Sequence, residues 1–188
     1  PRPPPPPLTE CGYYVESQGN TFDEVGGHAG ISRFYINGKL ERDIAIRGLN
    51  FVVVDPQTYA VVDTASFDTY GSEEQTAQMA TWLRGLTSTR FAHIVLAASF
   101  DEGSVQLDAA AYDALSFVLG ATLSTANPLC YRCGYGLVAR VRGDLLSEDT
   151  APDRDYLVRV AWNHQLCNPP PSPPPRIPPP TPPPPVPS

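Results

Sequence analysis

Residues 50–54 read NFVVV, and the positions after Asn50 are apolar on both faces of an extended chain. A short apolar run of this kind, followed by Pro56, predicts a buried central strand. Asn37-Gly38 is a strong signal for a hairpin turn between two neighbouring strands. Further apolar or alternating segments predict strands at 12–15, 30–36, 40–47, 60–65, 93–100, 137–141 and 156–162.

Two helices are predicted among these strands. The first begins at a capping-box pattern, SEEQ at residues 72–75, and the second is capped by Asp108 and ends at Gly120. Many strands, two helices and hairpin-type connections indicate an α+β fold, without the regular alternation of a doubly wound sheet. We therefore expect a β-sandwich-like two-sheet domain flanked by two helices.

Proline divides the chain into three parts. All of the 23 prolines except Pro56, Pro128 and Pro152 lie in residues 1–7 or residues 169–188. Proline fixes φ and lacks an N–H donor, so these tracts predict polyproline II arms rising about 3.1 Å per residue. The predicted organisation is a polyproline arm at 1–7, a globular domain at 8–168 and a second arm at 169–188.

The globular part is acidic. The chain has 20 acidic and 13 basic residues, and two of the basic residues, Arg2 and Arg176, lie in the arms. Nucleic acids and anionic membranes attract basic surfaces, so neither is an expected partner, and no apolar run reaches the ~20 residues that span a bilayer. The chain begins without methionine or a signal peptide, so we expect a processed form or a segment of a longer polypeptide.

Four cysteines indicate disulfides in a secreted protein. Three pairings are possible; Cys11 with Cys167, at the edges of the domain, and Cys130 with Cys133 are the expected bridges. Zinc is the alternative, but one CxxC pair is a weak zinc signal, and no metal or other cofactor is expected. The acidic pairs Asp101-Glu102 and Glu148-Asp149 are interpreted as solvated loops rather than calcium ligands.

Five segments, in this order and spacing, resemble the ILEI/PANDER domain of the interleukin-like EMT inducers. They are RGLNFVVVD (47–55), VVDTASFDTYGS (61–72), FDEGSVQL (100–107), ALSFVLGA (114–121) and LCYRCGYGLVARVRGD (129–144). The same domain forms the stem of the protein O-mannose N-acetylglucosaminyltransferase. The resemblance implies a secreted, non-catalytic domain and departs from the signalling members in its CxxC pair and in lacking a second nearby cysteine beside Cys11.

In the transferase stem the domain binds a sugar through two arginines and an aspartate, and the resemblance places these at Arg47, Asp101 and Arg132. Guanidinium donors and a carboxylate acceptor suit sugar hydroxyls, which both donate and accept hydrogen bonds. Tyr70, Trp82 or Tyr131 could offer a ring to the sugar face. The alternative is that the three charged residues form a structural ion-pair cluster that holds three loops together.

The arms resemble the hydroxyproline-rich glycoproteins of green algae and plants, in which such prolines are hydroxylated and carry short sugar chains. No N-x-[ST] sequon occurs, so attached sugars must be O-linked. A plain spacer or a ligand for a proline-binding domain is the alternative. The resemblance makes these residues candidate attachment points: Pro4, Pro5, Pro6, Pro170, Pro171, Ser172, Pro174, Pro175, Pro179, Pro180, Thr181, Pro183 and Pro184.

We expect from these features an extracellular, non-catalytic structural glycoprotein, a subunit of a fibre or matrix. Copies would assemble head to tail through the polyproline arms and their glycans, since heterologous contacts that do not close a ring make filaments. A carbohydrate-binding module displayed on glycosylated spacers is the second hypothesis. A secreted signalling factor is the third, which fits the domain but not the arms.

Overall fold

The computed structural model describes residues 12–22, 28–142, 144–153 and 156–162. These residues form nine strands and two helices, so the predicted mostly-β, α+β character is confirmed. In chain order they are β1 (Tyr13–Phe22), β2 (His28–Ile36), β3 (Lys39–Asp43), β4 (Gly48–Val54), β5 (Val61–Phe67), α1 (Glu73–Thr89), β6 (Ile94–Asp101), α2 (Ala109–Leu119), β7 (Tyr135–Arg140), β8 (Asp144–Thr150) and β9 (Val158–Trp162).

The strands make one mixed, hydrogen-bonded sheet rather than the two separate sheets that we expected. One part runs β5-β4-β6-β7-β8 and the other runs β3-β2-β1-β9, with antiparallel pairing inside each part. The parts are joined where Gln18 and Gly19 pair in parallel with Phe100 and Asp101. They also meet away from this junction, because a Cβ at Gly136 of β7 would lie 2.8 Å from Val160 of β9.

Strand β4 is the buried central strand that NFVVV predicts. All seven of its residues are buried, and its neighbours are β5 and β6. Phe51 contacts Trp82 of α1, with ring centroids 5.3 Å apart, so one face of the strand packs against the helical layer. Burial of consecutive residues means that both faces are covered, which explains why the run does not alternate with polar residues.

The predicted caps and turn are confirmed. The Ser72 side chain accepts a hydrogen bond from the backbone N–H of Gln75, and Asp108 does the same for Ala111. The reciprocal half of the capping box is absent, because the Gln75 side chain accepts from the N–H of Asp68. Asn37 and Gly38 both have positive φ, 50° and 76°, the combination of a type I′ hairpin turn.

Strand β8 corrects the sequence interpretation, which placed Glu148-Asp149 in a solvated loop. Both residues lie on β8 and pair with β7. The Glu148 carboxylate accepts hydrogen bonds from the Tyr135 hydroxyl at 2.7 Å and from the backbone N–H and hydroxyl of Thr122 at 2.9 and 2.6 Å. The acid is therefore a structural acceptor at the edge of the sheet.

Candidate functional site

Arg47 lies immediately before β4 and is held rigidly by Asp68. Its Nε and Nη2 atoms donate to Oδ1 and Oδ2 of that carboxylate at 3.0 and 2.5 Å, a bidentate pair. The guanidinium also lies 4.6 Å from the ring centre of Tyr70. The hydrogen bond from Arg47 lowers the pKa of Asp68, and the same bond raises the pKa of Arg47 above its ordinary value. The arginine is thus a permanently charged donor with a fixed orientation.

Asp101 lies beside Arg47 because of the strand register. Gly48 pairs with Phe100 across β4 and β6, which places the residues just before and just after that pair next to one another. The hydrogen bond to Asp68 is the main cause of the raised pKa of Arg47, and the negative charge of Asp101 raises it further. Within the part of the chain that the structure describes, the Asp101 carboxylate accepts no hydrogen bond and makes no ion pair. Its φ is +61°, in the left-handed region.

Arg132 reaches the same end of the sheet through the Cys130–Cys133 loop. Its backbone N–H donates to the carboxylate of Glu102, the residue after Asp101, and its φ is +59°. Its guanidinium lies 5.2 Å from the ring centre of Tyr131. The loop is also pressed against β1, because a Cβ at Gly19 would lie 1.7 Å from the carbonyl oxygen of Arg132.

The structure therefore brings the three predicted site residues to one end of the sheet. Among the described residues Arg47 forms its ion pair with Asp68, and no ion pair joins Asp101 to either arginine. Tyr70 and Tyr131 lie in this region, each beside an arginine. Trp82 instead packs against Phe51 and Phe67 at 5.3 and 5.8 Å between ring centroids, so it belongs to the helix–sheet contact.

A sequence model of one family, described as interleukin-like EMT inducer (ILEI), matches residues 47–142, just over half of the chain. The chain belongs to the ILEI family. The matched range contains all three candidate residues and both cysteines of the CxxC pair. A search of curated proteins found no match.

Two residues that shape the candidate site were not predicted from the sequence as site residues. Asp68 lies in the FDTYGS segment, and nothing in that segment alone indicates that it clamps an arginine 21 positions earlier. Glu102 was interpreted as part of a solvated loop, which is wrong, because it is only 2% exposed. Its carboxylate accepts from the N–H and hydroxyl of Ser104 at 2.6 and 2.5 Å as well as from Arg132.

The expected disulfide between Cys130 and Cys133 is present in the ILEI domain, with Cα atoms 5.3 Å apart. Cys11, Cys167 and every candidate O-glycosylation position lie outside the described residues. No group of acidic, histidine and cysteine side chains suited to a metal ion occurs within the described ranges. Among the helices of those ranges, neither is long and apolar enough to cross a membrane. The disulfide and the family are consistent with a secreted protein.

Proposed function

We propose that the ILEI domain of this chain is a non-catalytic, extracellular carbohydrate-binding domain whose site is formed by Arg47, Asp101 and Arg132. The observation that carries the proposal is the contrast between Arg47 and Asp101. The arginine is fixed by Asp68 through Nε and Nη2, while the neighbouring carboxylate has no hydrogen-bond partner among the described residues. A fixed donor beside an open acceptor is what a sugar with adjacent hydroxyls requires.

The free edge of Arg47 supplies the donor half of this recognition. Its Nη1 atom makes no hydrogen bond within the described residues, and the side chain is 42% exposed. Because Asp68 and Tyr70 already immobilise the guanidinium, binding loses little side-chain entropy. The donor half of the site is thus organised before a ligand arrives.

Asp101 supplies the acceptor half. A charged hydrogen bond from a sugar hydroxyl to this carboxylate contributes about 1.5–3 kcal/mol, since the acceptor is ionised. Tyr70 and Tyr131 add apolar ring surface on the arginine sides of the site. These groups bind and orient a polyhydroxylated ligand, and the proposal assigns no reaction to them.

A binding experiment on the full chain tests this function. The wild-type protein is screened on an array of neutral glycans, and the affinity for the strongest ligand is measured by calorimetry. Asp101→Asn is the appropriate variant, because asparagine tolerates the left-handed φ of this position whereas alanine would strain it. Asp113→Asn, at an exposed position of α2, is the matched control.

We expect Asp101→Asn to weaken glycan binding by about tenfold or more, from the loss of one charged hydrogen bond. The control variant should bind as the wild type does. Equal affinities for the wild type and Asp101→Asn, or no bound glycan at all, would contradict the proposal. Thermal unfolding of each variant separates a binding effect from a folding defect.

A second candidate function, a structural subunit of a fibre or matrix, is supported by the composition of the arms. Fourteen prolines occur in residues 169–188 and six in residues 1–7, and stiff arms suit a protein that spans distances. We propose that these arms are hydroxylated and O-glycosylated. Mass spectrometry of the native peptide 160–188 tests this, with pentose or hexose chains on hydroxyproline as the expected result and unmodified proline as the contrary one.

A further inference from the structure

The candidate site lies beside exposed apolar side chains, of which the proposed sugar binding uses only Tyr131. Seven large apolar side chains are exposed in the described residues, and three of them, the apolar rim, lie in the segments that carry this site: Ile46, Val105 and Tyr131. Ile46 directly precedes Arg47, and Tyr131 directly precedes Arg132. Isolated exposed apolar residues are ordinary, whereas several around one polar centre are typical of an interaction surface.

Hydrogen bonds tie the segments that carry this rim together. The N–H of Gln106, the neighbour of Val105, donates to the carbonyl oxygen of Thr69 at 2.8 Å, and the Thr69 hydroxyl donates to Gly103 at 2.8 Å. Thr69 lies between Asp68 and Tyr70, the two residues that hold Arg47. On the other side, Glu102 binds the loop of Tyr131. The segments of Val105 and Tyr131 are therefore bonded to segments that carry the charged centre.

The chain leaves the described domain at the end opposite to this surface. Trp162, the last residue of β9, pairs with Tyr13, the first residue of β1. The ring of Tyr13 lies 6.1 Å from that of Tyr59, which follows the far end of β4. Arg47 lies before the near end of β4, and a seven-residue strand spans roughly 23 Å.

We propose that the rim of Ile46, Val105 and Tyr131 receives the proline arm, residues 169–188, of a second copy of this chain. The inference rests on the proposed function, because it names a partner for the same site. The rings of prolines that carry no sugar present apolar surface, and polyproline II segments bind to surfaces with aromatic side chains. The arm contains no acidic residue and one basic residue, Arg176, so its charge is opposite to that of the domain as a whole, which has more acidic than basic residues.

The position of Trp162 at the end of the domain opposite the rim favours contact between copies over contact within one copy. Tracts of consecutive prolines favour a stiff polyproline II conformation, and from this composition we infer contact with the rim of a neighbouring copy rather than with the rim of the same copy. Repeated in one direction, this heterologous contact builds a chain of subunits.

A bare synthetic peptide of residues 169–188 tests the inference on the full-length protein. Its affinity is measured by fluorescence anisotropy, with the protein diluted below the concentration at which it self-associates. The rim variant Ile46→Ser/Val105→Ser is compared with Val62→Ser, which changes an exposed valine on β5, away from the site. A peptide with Arg176→Glu tests the charge complementarity.

We expect the rim variant and the Arg176→Glu peptide each to lose about tenfold or more in affinity, and Val62→Ser to lose none. Glycan binding by the rim variant should persist, because Arg47 and Asp101 are intact. A wild-type protein that binds glycan but not the peptide overturns the inference and leaves the proposed function standing. Failure to bind either ligand contradicts both, and equal peptide affinity for all protein variants overturns the rim as the contact.

Discussion

Replacing Glu102 by glutamine tests whether the site is held by a buried acceptor. In the native protein one carboxylate oxygen accepts from the N–H and hydroxyl of Ser104, and the other accepts from the N–H of Arg132. Glutamine has nearly the same shape but only one acceptor oxygen, so one backbone N–H must face an NH₂ group. With the side chain only 2% exposed, water cannot replace the lost acceptor.

An unsatisfied buried donor of this kind destabilises a protein by about 1–3 kcal/mol. Urea unfolding measures it: with an m-value of about 2 kcal/mol/M, a loss of 2 kcal/mol lowers the midpoint by about 1 M. Glu74→Gln, at an exposed position in the first turn of α1, is the control and should shift the midpoint by less than about 0.3 M. A Glu102→Gln midpoint equal to that of the control would refute the structural role that we assign to this carboxylate.

Three further predictions follow from described contacts. Gly19→Ala should destabilise the domain by about 1–3 kcal/mol or prevent folding, since its Cβ would lie 1.7 Å from the Arg132 carbonyl oxygen. Gly85→Ala on α1 is the control, because its Cβ would meet nothing within 4 Å. It should stabilise the domain by up to about 1 kcal/mol, as measured by thermal unfolding. The hydrogen bond from Arg47 lowers the pKa of Asp68 in the folded state. The stability that this pair contributes is therefore complete above the ordinary pKa of 3.8 and is lost as the pH falls from there through the folded-state pKa. Asp68→Asn should weaken this loss of stability at acid pH, and an unchanged pH dependence would count against the clamp. Peptide mapping without reduction should find Cys11 linked to Cys167. Tyr13, two residues after Cys11, pairs with Trp162, five residues before Cys167. Recovery of either cysteine as a free thiol would contradict this prediction.

Local sequence signals were sufficient to predict the elements whose conformation is determined by their own residues. Asn37-Gly38 adopts the left-handed pair of φ values that its hairpin turn requires, and Gly120 ends α2 with φ +69°. The apolar run of β4 predicts a strand that is covered on both faces, and all seven residues of β4 are buried. In each case the information lies within a few neighbouring positions.

The unpredicted strand β8 depended on distant partners. The acids of its sequence DLLSEDT resemble a solvated loop, but Glu148 is bonded to Tyr135 on the adjacent strand and to Thr122, 26 positions away. No local pattern records those bonds. The same limit applies to the candidate site: the resemblance predicted Arg47, Asp101 and Arg132, but not the Asp68 clamp or the buried Glu102, whose contacts arise only when separate segments meet.

The left-handed backbone at Asp101 and Arg132 connects the folding of the site with its proposed use. Non-glycine residues rarely adopt this conformation, and it persists only where surrounding contacts impose it. Here Asp101 is fixed by pairing with Gly19, and Arg132 by the disulfide, by Glu102 and by the close approach of Gly19. None of these contacts uses the Asp101 carboxylate or the free edge of Arg47. The backbone is therefore constrained by groups outside the proposed ligand contacts, and the Asp101 carboxylate and the Nη1 atom of Arg47 take no part in holding it. That separation is why Glu102→Gln should alter stability, whereas Asp101→Asn should alter affinity.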